Sequence, residues 1–223
     1  MQLEPLGDQA VLAYCEDENA ASVLARAVRH SPPTWCMDVV QAYVSVAVFY
    51  DGATTDFAQA AARIASDFAP VAHTAPTDGR LITIPCCYDL GLDFDRITAH
   101  TGLSRERIIV QHSETIYTVY AIGFCPGFPY LGYLPTELAG VPRLESPRLR
   151  VESGSVGMTG RQTGIYTEAR PGGWNIIGRT PLTLVDVATE YFPLTTGDRV
   201  KFFPIDLAEN ERLQTRHIDE RTT

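Results

Sequence analysis

The pattern of the chain changes at residue 115. From there on, short β-prone runs separated by clusters of glycine and proline replace the helical periodicity of the preceding residues. The runs are 115–122, 149–151, 175–177, 182–187 and 199–203. Many short strands between turn residues are typical of an antiparallel sandwich or barrel. We therefore expect the second part of the chain to fold as a β-domain.

The first 85 residues predict a different unit, in which strands alternate with helices. Apolar residues recur at helical spacing in two segments and at strand spacing in four. The predicted order is a strand at 11–14, a helix at 20–28, strands at 39–41 and 44–50, a helix at 57–68 and a strand at 81–85. The order β-α-β-β-α-β matches the ferredoxin-like split pattern. The fold class predicted for the whole chain is α+β.

Residues 69–80 have the composition of a linker, with Pro70, Pro76 and Gly79. We therefore predict a small ferredoxin-like α/β domain over 1–78 and a β-domain over 79–206. A strongly charged tail, 207–223, follows them as a frayed helix or a disordered segment.

Composition and charge exclude several classes of protein. The 223 residues are 45% hydrophobic and 20% charged, as in globular proteins, and the net charge of −9 repels phosphate backbones. We expect no nucleic-acid binding. The start of the chain lacks the features of a signal peptide, and the longest apolar stretch, 42–50, is only as long as a strand, so no membrane segment is expected either.

The cysteines and basic residues limit the kinds of metal and anion site that the chain can form. The five cysteines form no C-x-x-C pair, and neither they nor the five histidines show metal-ligand spacing, so we expect no zinc or other metal site. A reduced, cytoplasmic location is the simplest interpretation. Lys201 is the only lysine, which excludes a Walker A phosphate loop. An anion would be bound by arginines, backbone N–H groups or hydroxyls.

One aromatic loop stands out, residues 123–133, which read Gly-Phe-Cys-Pro-Gly-Phe-Pro-Tyr-Leu-Gly-Tyr. Pro126-Gly127 fits the centre of a type II turn. The aromatic residues, among them Phe128 and Tyr130, either plug one end of the β-domain or form the rigid rim of a ligand groove. Under the second interpretation Phe128 and Tyr130 bind substrate.

A glycine-rich segment follows at 154–167. Its four glycines allow the backbone to approach a neighbour or a ligand closely. The residues between them carry neutral hydrogen-bonding groups: Ser155, Thr159, Gln162, Thr163, Tyr166 and Thr167. This chemistry suits an amide, a carboxylate or a phosphate, although bulges and tight corners also explain the glycine spacing. The candidates taken from this segment are Gln162 and Tyr166 for catalysis and Ser155 and Thr163 for substrate binding.

Two further features supply candidate residues. Six arginines between 143 and 179 stand against three acids, and Arg179, beside Gly178 and near Trp174, is the first choice for binding a carboxylate or phosphoryl group. Trp174, delivered by a Pro-Gly-Gly turn, is a substrate-binding candidate. His112, two positions before Glu114, is a candidate acid–base catalyst, and capping of a helix end is the alternative role.

Three runs together resemble one family. They are residues 123–132, the pair 154–157 and 162–164, and residues 171–178 (Pro-Gly-Gly-Trp-Asn-Ile-Ile-Gly). These motifs, and the opening residues 6–11, are similar to allophanate hydrolase subunit 1, a family that includes the 5-oxoprolinase subunit PxpB and the kinase inhibitor KipI. The resemblance covers nearly the whole chain. It implies an N-terminal α/β domain, a cyclophilin-like β-barrel, and a subunit 2 (PxpC-like) partner.

The resemblance implies three activities without separating them. The first is ATP-dependent opening of 5-oxoproline to glutamate by a multi-subunit enzyme. The second is carboxyl transfer between biotin and a urea-like amide, as in urea amidolyases, and the third is inhibition of a histidine kinase. Glu152 stands where the family often has proline, which changes the charge of the groove.

The residues themselves favour a shared site. ATP hydrolysis needs a phosphate cradle and carboxylates that hold Mg²⁺, and the sequence has neither motif. Together with the resemblance, which implies a 5-oxoprolinase subunit, this predicts a chain that is inactive alone. Its glycine-rich strands, Gln162, Tyr166 and Arg179 orient an amide or carboxylate substrate, ATP is bound by the complex, and biotin enters only under the carboxyltransferase alternative.

Overall fold

The computed structural model describes residues 1–68 and 79–218, which form an α+β protein with mostly antiparallel sheet. The chain divides into two compact units, 1–77 and 78–223. Most of the predicted linker and the end of the predicted tail, residues 219–223, lie outside the described residues. Of the tail, α5 (Leu207–Arg212) is helical.

The first unit packs two helices on one antiparallel sheet. Its elements are β1 (Gln2–Pro5), β2 (Ala10–Tyr14), α1 (Glu18–His30), β3 (Cys36–Ala42), β4 (Ser45–Tyr50) and α2 (Phe57–Asp67). The strand order is β1-β2-β4-β3. Leu24 and Val28 of α1, Ile64 of α2, and Val46 and Val48 of β4 lie in one core. The helical and alternating spacing of these apolar residues produces that packing.

The ferredoxin-like prediction for this unit is not confirmed. The strand predicted at 81–85 forms as β5 (Leu81–Cys86), but it pairs in parallel with β13 (Arg199–Pro204) of the second unit. Within the first sheet, β1 occupies the edge beside β2. The short run 2–5 contains a proline and two polar residues, so alternation alone did not reveal it.

The second unit is built on a seven-stranded sheet with the order β5-β13-β6-β7-β10-β9-β12. Its remaining elements are α3 (Phe94–Thr101), α4 (Arg105–Glu114), β6 (Ile116–Ile122), β7 (Pro129–Gly132), β8 (Arg148–Val151), β9 (Ser155–Thr159), β10 (Gln162–Ile165), β11 (Arg170–Gly172) and β12 (Asn175–Arg179). All pairs except β5–β13 are antiparallel, and β8 and β11 form a separate small sheet.

The sheet is curled, but the closed barrel that was expected is not confirmed. Its two edge strands meet at an antiparallel bridge between Cys87 and Arg179, whose backbone hydrogen bonds measure 2.8 and 3.0 Å. The run 182–187, expected to be a strand, forms isolated bridges at Thr183 and Asp186 instead. The bridges of these two residues, to His217 and Tyr191, involve segments outside the main sheet.

Candidate functional site

An aromatic cluster fills the middle of one face of the second sheet. It consists of Cys125, Phe128, Tyr130, Val151, Tyr166, Trp174 and Ile176. Phe128 and Tyr166 are 2% exposed and Trp174 is 5% exposed. The ring of Phe128 meets those of Tyr166 and Trp174 edge to face, with centroids 5.3 and 5.5 Å apart, a favoured geometry for aromatic pairs. Phe128, Tyr166 and Trp174, three of the predicted substrate-binding or catalytic residues, are therefore buried against one another.

The glycine-rich strands make room for this cluster. A Cβ atom on Gly164 would lie 3.0 Å from Trp174 and 3.1 Å from Phe128, and one on Gly157 would lie 3.2 Å from Trp174. Likewise, a Cβ atom on Gly172 would lie 2.3 Å from the hydroxyl oxygen of Tyr166. The missing side chains thus admit neighbouring rings, which is the close approach to a neighbour foreseen from the sequence.

Two of the partly exposed candidates lie toward opposite ends of the cluster, and the third lies between them. Strand register pairs Ser155 with Arg179 and Thr159 with Gln162. Alternate residues of a strand share a face, so Ser155 and Thr159 lie on the face of the cluster, roughly 13 Å apart at strand rise. Arg179 marks one end. Gln162 marks the other, and Tyr130, which pairs with Gly164 opposite Gly157, lies between these two levels of the strands.

Burial changes the pKa of the two tyrosine hydroxyls in the cluster. Burial raises the pKa of Tyr166, and a hydrogen bond from the backbone N–H of Trp174 acts against this. Burial likewise raises the pKa of Tyr130, while the charge of Arg143 lowers it. Both phenols are therefore neutral hydrogen-bonding groups near pH 7. Tyr130, the more exposed of the two, can reach a ligand.

His112 and Thr163 come together, but in the main core of the second unit. His112 is fully buried, its Nδ1 lies 2.8 Å from the hydroxyl of Tyr88, and its Nε2 lies 3.0 Å from Oγ1 of Thr163. Thr163 Oγ1 also donates to the carbonyl of Gly157 at 2.9 Å. Because that hydroxyl proton is used, Nε2 carries the imidazole proton and Nδ1 accepts from Tyr88. The chain of hydrogen bonds is complete.

The electrostatics of His112 follow from this position. Desolvation lowers the pKa of His112 from 6.5 to about 3. The ring is therefore neutral throughout the physiological range and has no exposed edge. In this structure His112 organises the core, and the carboxylate of Glu114, which suggested acid–base chemistry, is not among its hydrogen-bond partners.

Arg179 keeps an unused donor. Its side chain is partly buried, and its Nε is a buried atom without a hydrogen-bond partner in the part of the chain that the structure describes. Its Cγ lies 3.3 Å from the Cβ position of Gly154, whose φ of +80° favours glycine. Glu152 is nearby: its pKa is lowered by hydrogen bonds from Arg150 and further by the charge of Arg179. Because Nε itself is buried, an anionic or carbonyl ligand would contact the exposed remainder of this side chain.

A network that the sequence analysis missed holds the surrounding loops. Asp93 is 7% exposed; it accepts 2.6 Å hydrogen bonds from Arg148 and from the backbone N–H of Ile176. Asn175 donates to Pro142 and accepts from Arg96. An isolated acid before a helix looks like an ordinary cap in the sequence, and its partners lie 55 and 83 residues away.

The described residues do not provide a group of three or more His, Cys, Asp or Glu side chains arranged to hold a metal ion. No helix within 1–68 and 79–218 combines the length and apolarity needed to cross a membrane.

This fold and face define a carboxyltransferase-type domain. Residues 1–194 match the family model described as carboxyltransferase domain, subdomain C and D, and the chain belongs to this family. It is 34% identical to a 5-oxoprolinase subunit of Bacillus subtilis (strain 168), over 92% of both chains. The family membership predicted from the motifs is thereby confirmed.

Solved structures agree on the fold. The structure of TTHA0988 is 32% identical with a TM-score of 0.76, covering 89% of this chain and 40% of that longer one. The K. lactis urea amidolyase has a TM-score of 0.72 at 16% identity, covering 97% of this chain and 16% of that one. The second likeness is one of fold alone.

Proposed function

We propose that this chain is a subunit of an ATP-dependent 5-oxoprolinase, which opens the cyclic amide 5-oxoproline to glutamate together with a subunit 2 (PxpC-like) protein. The observation that carries the proposal is the likeness to the 5-oxoprolinase subunit of Bacillus subtilis over 92% of both chains. Mutual coverage of this extent includes both compact units of the chain.

The geometry favours a shared site. The centre of the candidate face is filled by the chain's own rings, and the partly exposed Arg179 and Gln162 lie toward its two ends. Arg179 has a donor without a partner in the described residues, and Tyr130 is only partly buried. In our proposal these groups bind and orient the substrate, while the partner supplies the remaining wall and the groups that act on the amide bond.

The binding of ATP by the complex, and not by this chain alone, is part of the proposal. A triphosphate needs several unpaired cations or a backbone cradle beside carboxylates that hold Mg²⁺. Three of the arginines between 143 and 179 are instead engaged by carboxylates of the chain, in the pairs Arg148–Asp93, Arg150–Glu152 and Arg170–Glu168. We therefore assign ATP to the complex.

The two alternatives have weaker support. Biotin-dependent carboxyl transfer relies on a fold likeness at 16% identity, and fold alone does not carry function. Inhibition of a histidine kinase relies on family resemblance. A neighbouring gene for subunit 2 would favour the enzyme, and a neighbouring sensor kinase without it would favour the inhibitor.

The test is to co-express the chain with its subunit 2 neighbour, purify the complex, and measure glutamate released from 5-oxoproline with ATP. We expect turnover by the complex and none by the chain alone. Arg179→Ala should lower kcat/KM of the complex by roughly ten- to a hundred-fold, the value of a charge-assisted hydrogen bond. Arg107→Ala, an exposed arginine on α4, is the matched control.

Turnover by the purified chain without a partner would contradict the shared site. Full activity of the Arg179→Ala complex would show that this end of the face does not contact substrate.

A further inference from the structure

Of the six arginines between 143 and 179, all of them within the described residues, Arg143 is the exposed one whose guanidinium has no partner. Arg148, Arg150 and Arg170 pair with carboxylates. Arg161 stacks on the ring of Tyr133, with its guanidinium carbon 4.2 Å from the centroid. Arg179 is partly buried. Arg143 is exposed, and within residues 1–68 and 79–218 its guanidinium has neither an ion pair nor a hydrogen bond.

The backbone that carries Arg143 is held firmly. The side chain of Asn175 donates to the carbonyl of Pro142 at 3.0 Å, and Arg96 donates to the carbonyl of Arg143 itself at 3.1 Å. The N–H of Leu144 donates to the carbonyl of Gly173 at 2.8 Å. The backbone of three consecutive residues is thus held by hydrogen bonds. Because the backbone of Arg143 is already ordered, binding a ligand costs conformational entropy only in its side chain.

The surroundings of Arg143 are aromatic and hydroxylic. The residues on either side of Arg143 bond to the residues on either side of Trp174, Leu144 to Gly173 and Pro142 to Asn175, so Arg143 lies beside the Trp174 end of the aromatic cluster. The charge of Arg143 accordingly lowers the pKa of both Tyr130 and Tyr166. Tyr130 is partly exposed, and its ring lies 4.9 Å from that of Phe128 and 5.9 Å from that of Trp174. Glu145, two residues along, is exposed and forms no ion pair with Arg143. A cation, a hydroxyl donor and an aromatic edge therefore adjoin one another.

We propose that Arg143, together with the hydroxyl of Tyr130, binds the carboxylate of the cyclic amide substrate. The inference rests on the proposed function, because 5-oxoproline is a five-membered cyclic amide that carries one carboxylate. A guanidinium offers paired donors that match a carboxylate, and a phenol adds a third. The apolar ring of the substrate can lie along the aromatic edge. Arg143 then sets specificity for an acid over a neutral lactam and has no part in breaking the amide bond.

The experiment compares wild-type, Arg143→Gln and Arg143→Lys complexes with subunit 2. It measures kcat and KM for 5-oxoproline and the competitive inhibition by 2-pyrrolidinone, the same ring without the carboxylate. For Arg143→Gln we expect KM to rise roughly ten- to a hundred-fold with kcat within about twofold, since a uniform binding interaction is lost. Inhibition by 2-pyrrolidinone should be unchanged, and Arg143→Lys should recover part of the affinity.

Tyr130→Phe is the second variant and should raise KM by several-fold. Arg107→Gln, also an exposed arginine of the second unit, is the matched control and should leave both constants unchanged. An unchanged KM in Arg143→Gln would overturn the inference while leaving the proposed function intact. Loss of co-purification with subunit 2 would overturn it too, by placing Arg143 at the contact between the two polypeptides. An inactive wild-type complex would instead refute the proposed function.

Discussion

His112 uses both ring nitrogens inside the core, accepting from Tyr88 and donating to Thr163. The sequence showed a histidine two positions from Glu114, but its actual partners lie 24 and 51 residues away. Local spacing cannot identify such partners, because they are brought together only when the strands pair. Arg143 and Asp93 were not selected for the same reason.

The buried imidazole makes stability depend on pH. The pKa of His112 is about 3 in the folded chain and 6.5 in its ordinary state. The unfolded state therefore binds the proton more readily, so stability is fully present above pH 6.5 and is lost as the pH falls toward 3. Between pH 7 and 5 we expect this group to remove about 2 kcal/mol from the free energy of unfolding.

Urea unfolding of the chain at pH 7, 6 and 5 measures this effect. His112→Gln should remove that part of the pH dependence. His100→Gln, which changes an exposed histidine on α3, should retain it. Equal pH dependence in the wild-type chain and His112→Gln would show that the imidazole is accessible to protons in the folded state.

At the scale of elements, the β9–β10 hairpin is shaped by the rings that cover it. Gly164 lies under Trp174 and Phe128, and an added Cβ would also come within 2.8 Å of the carbonyl of Pro129. Gly164→Ala should therefore lower the free energy of unfolding by about 1–3 kcal/mol, as overpacking does in well-packed interiors. Gly123→Ala, whose Cβ would meet nothing within 4 Å, should be nearly neutral.

The measurement is the midpoint of urea unfolding for both variants, with the near-ultraviolet circular dichroism of the aromatic cluster. Similarly small decreases in the free energy of unfolding of the two variants would mean that the rings can move to accommodate the added methyl group.

The elements that the sequence predicted well are those with a regular apolar period. The helices α1 and α2 and the strands β2, β4 and β6 lie close to their predicted positions. The sequence also predicted strand β5 but not its partner strand. Alternation of apolar residues indicates that a strand has a buried face, but it does not identify the neighbouring strand. The parallel pairing of β5 with β13 joins residues more than 110 positions apart. For the same reason the sequence predicted an aromatic plug or a groove without deciding between them.

At the scale of the whole molecule, the face that carries the motifs is filled at its centre by its own rings, and partly exposed polar groups lie around them. The motifs identified Arg179, Tyr130 and Gln162, which are partly exposed, and also the buried Phe128, Trp174 and Ser155. They could not separate these sets, because burial depends on how the second unit curls. The proposed function therefore needs a second polypeptide that adds surface beside these partly exposed groups.

Calorimetric titration of 5-oxoproline into the chain alone, subunit 2 alone and the purified complex tests this claim most directly. Partly exposed donors beside a filled centre cannot enclose a small ligand without another wall, and enclosed pockets bury most of a ligand's surface. We predict saturable binding by the complex and no measurable binding by either polypeptide alone. Binding to the isolated chain as tight as to the complex would contradict the shared site.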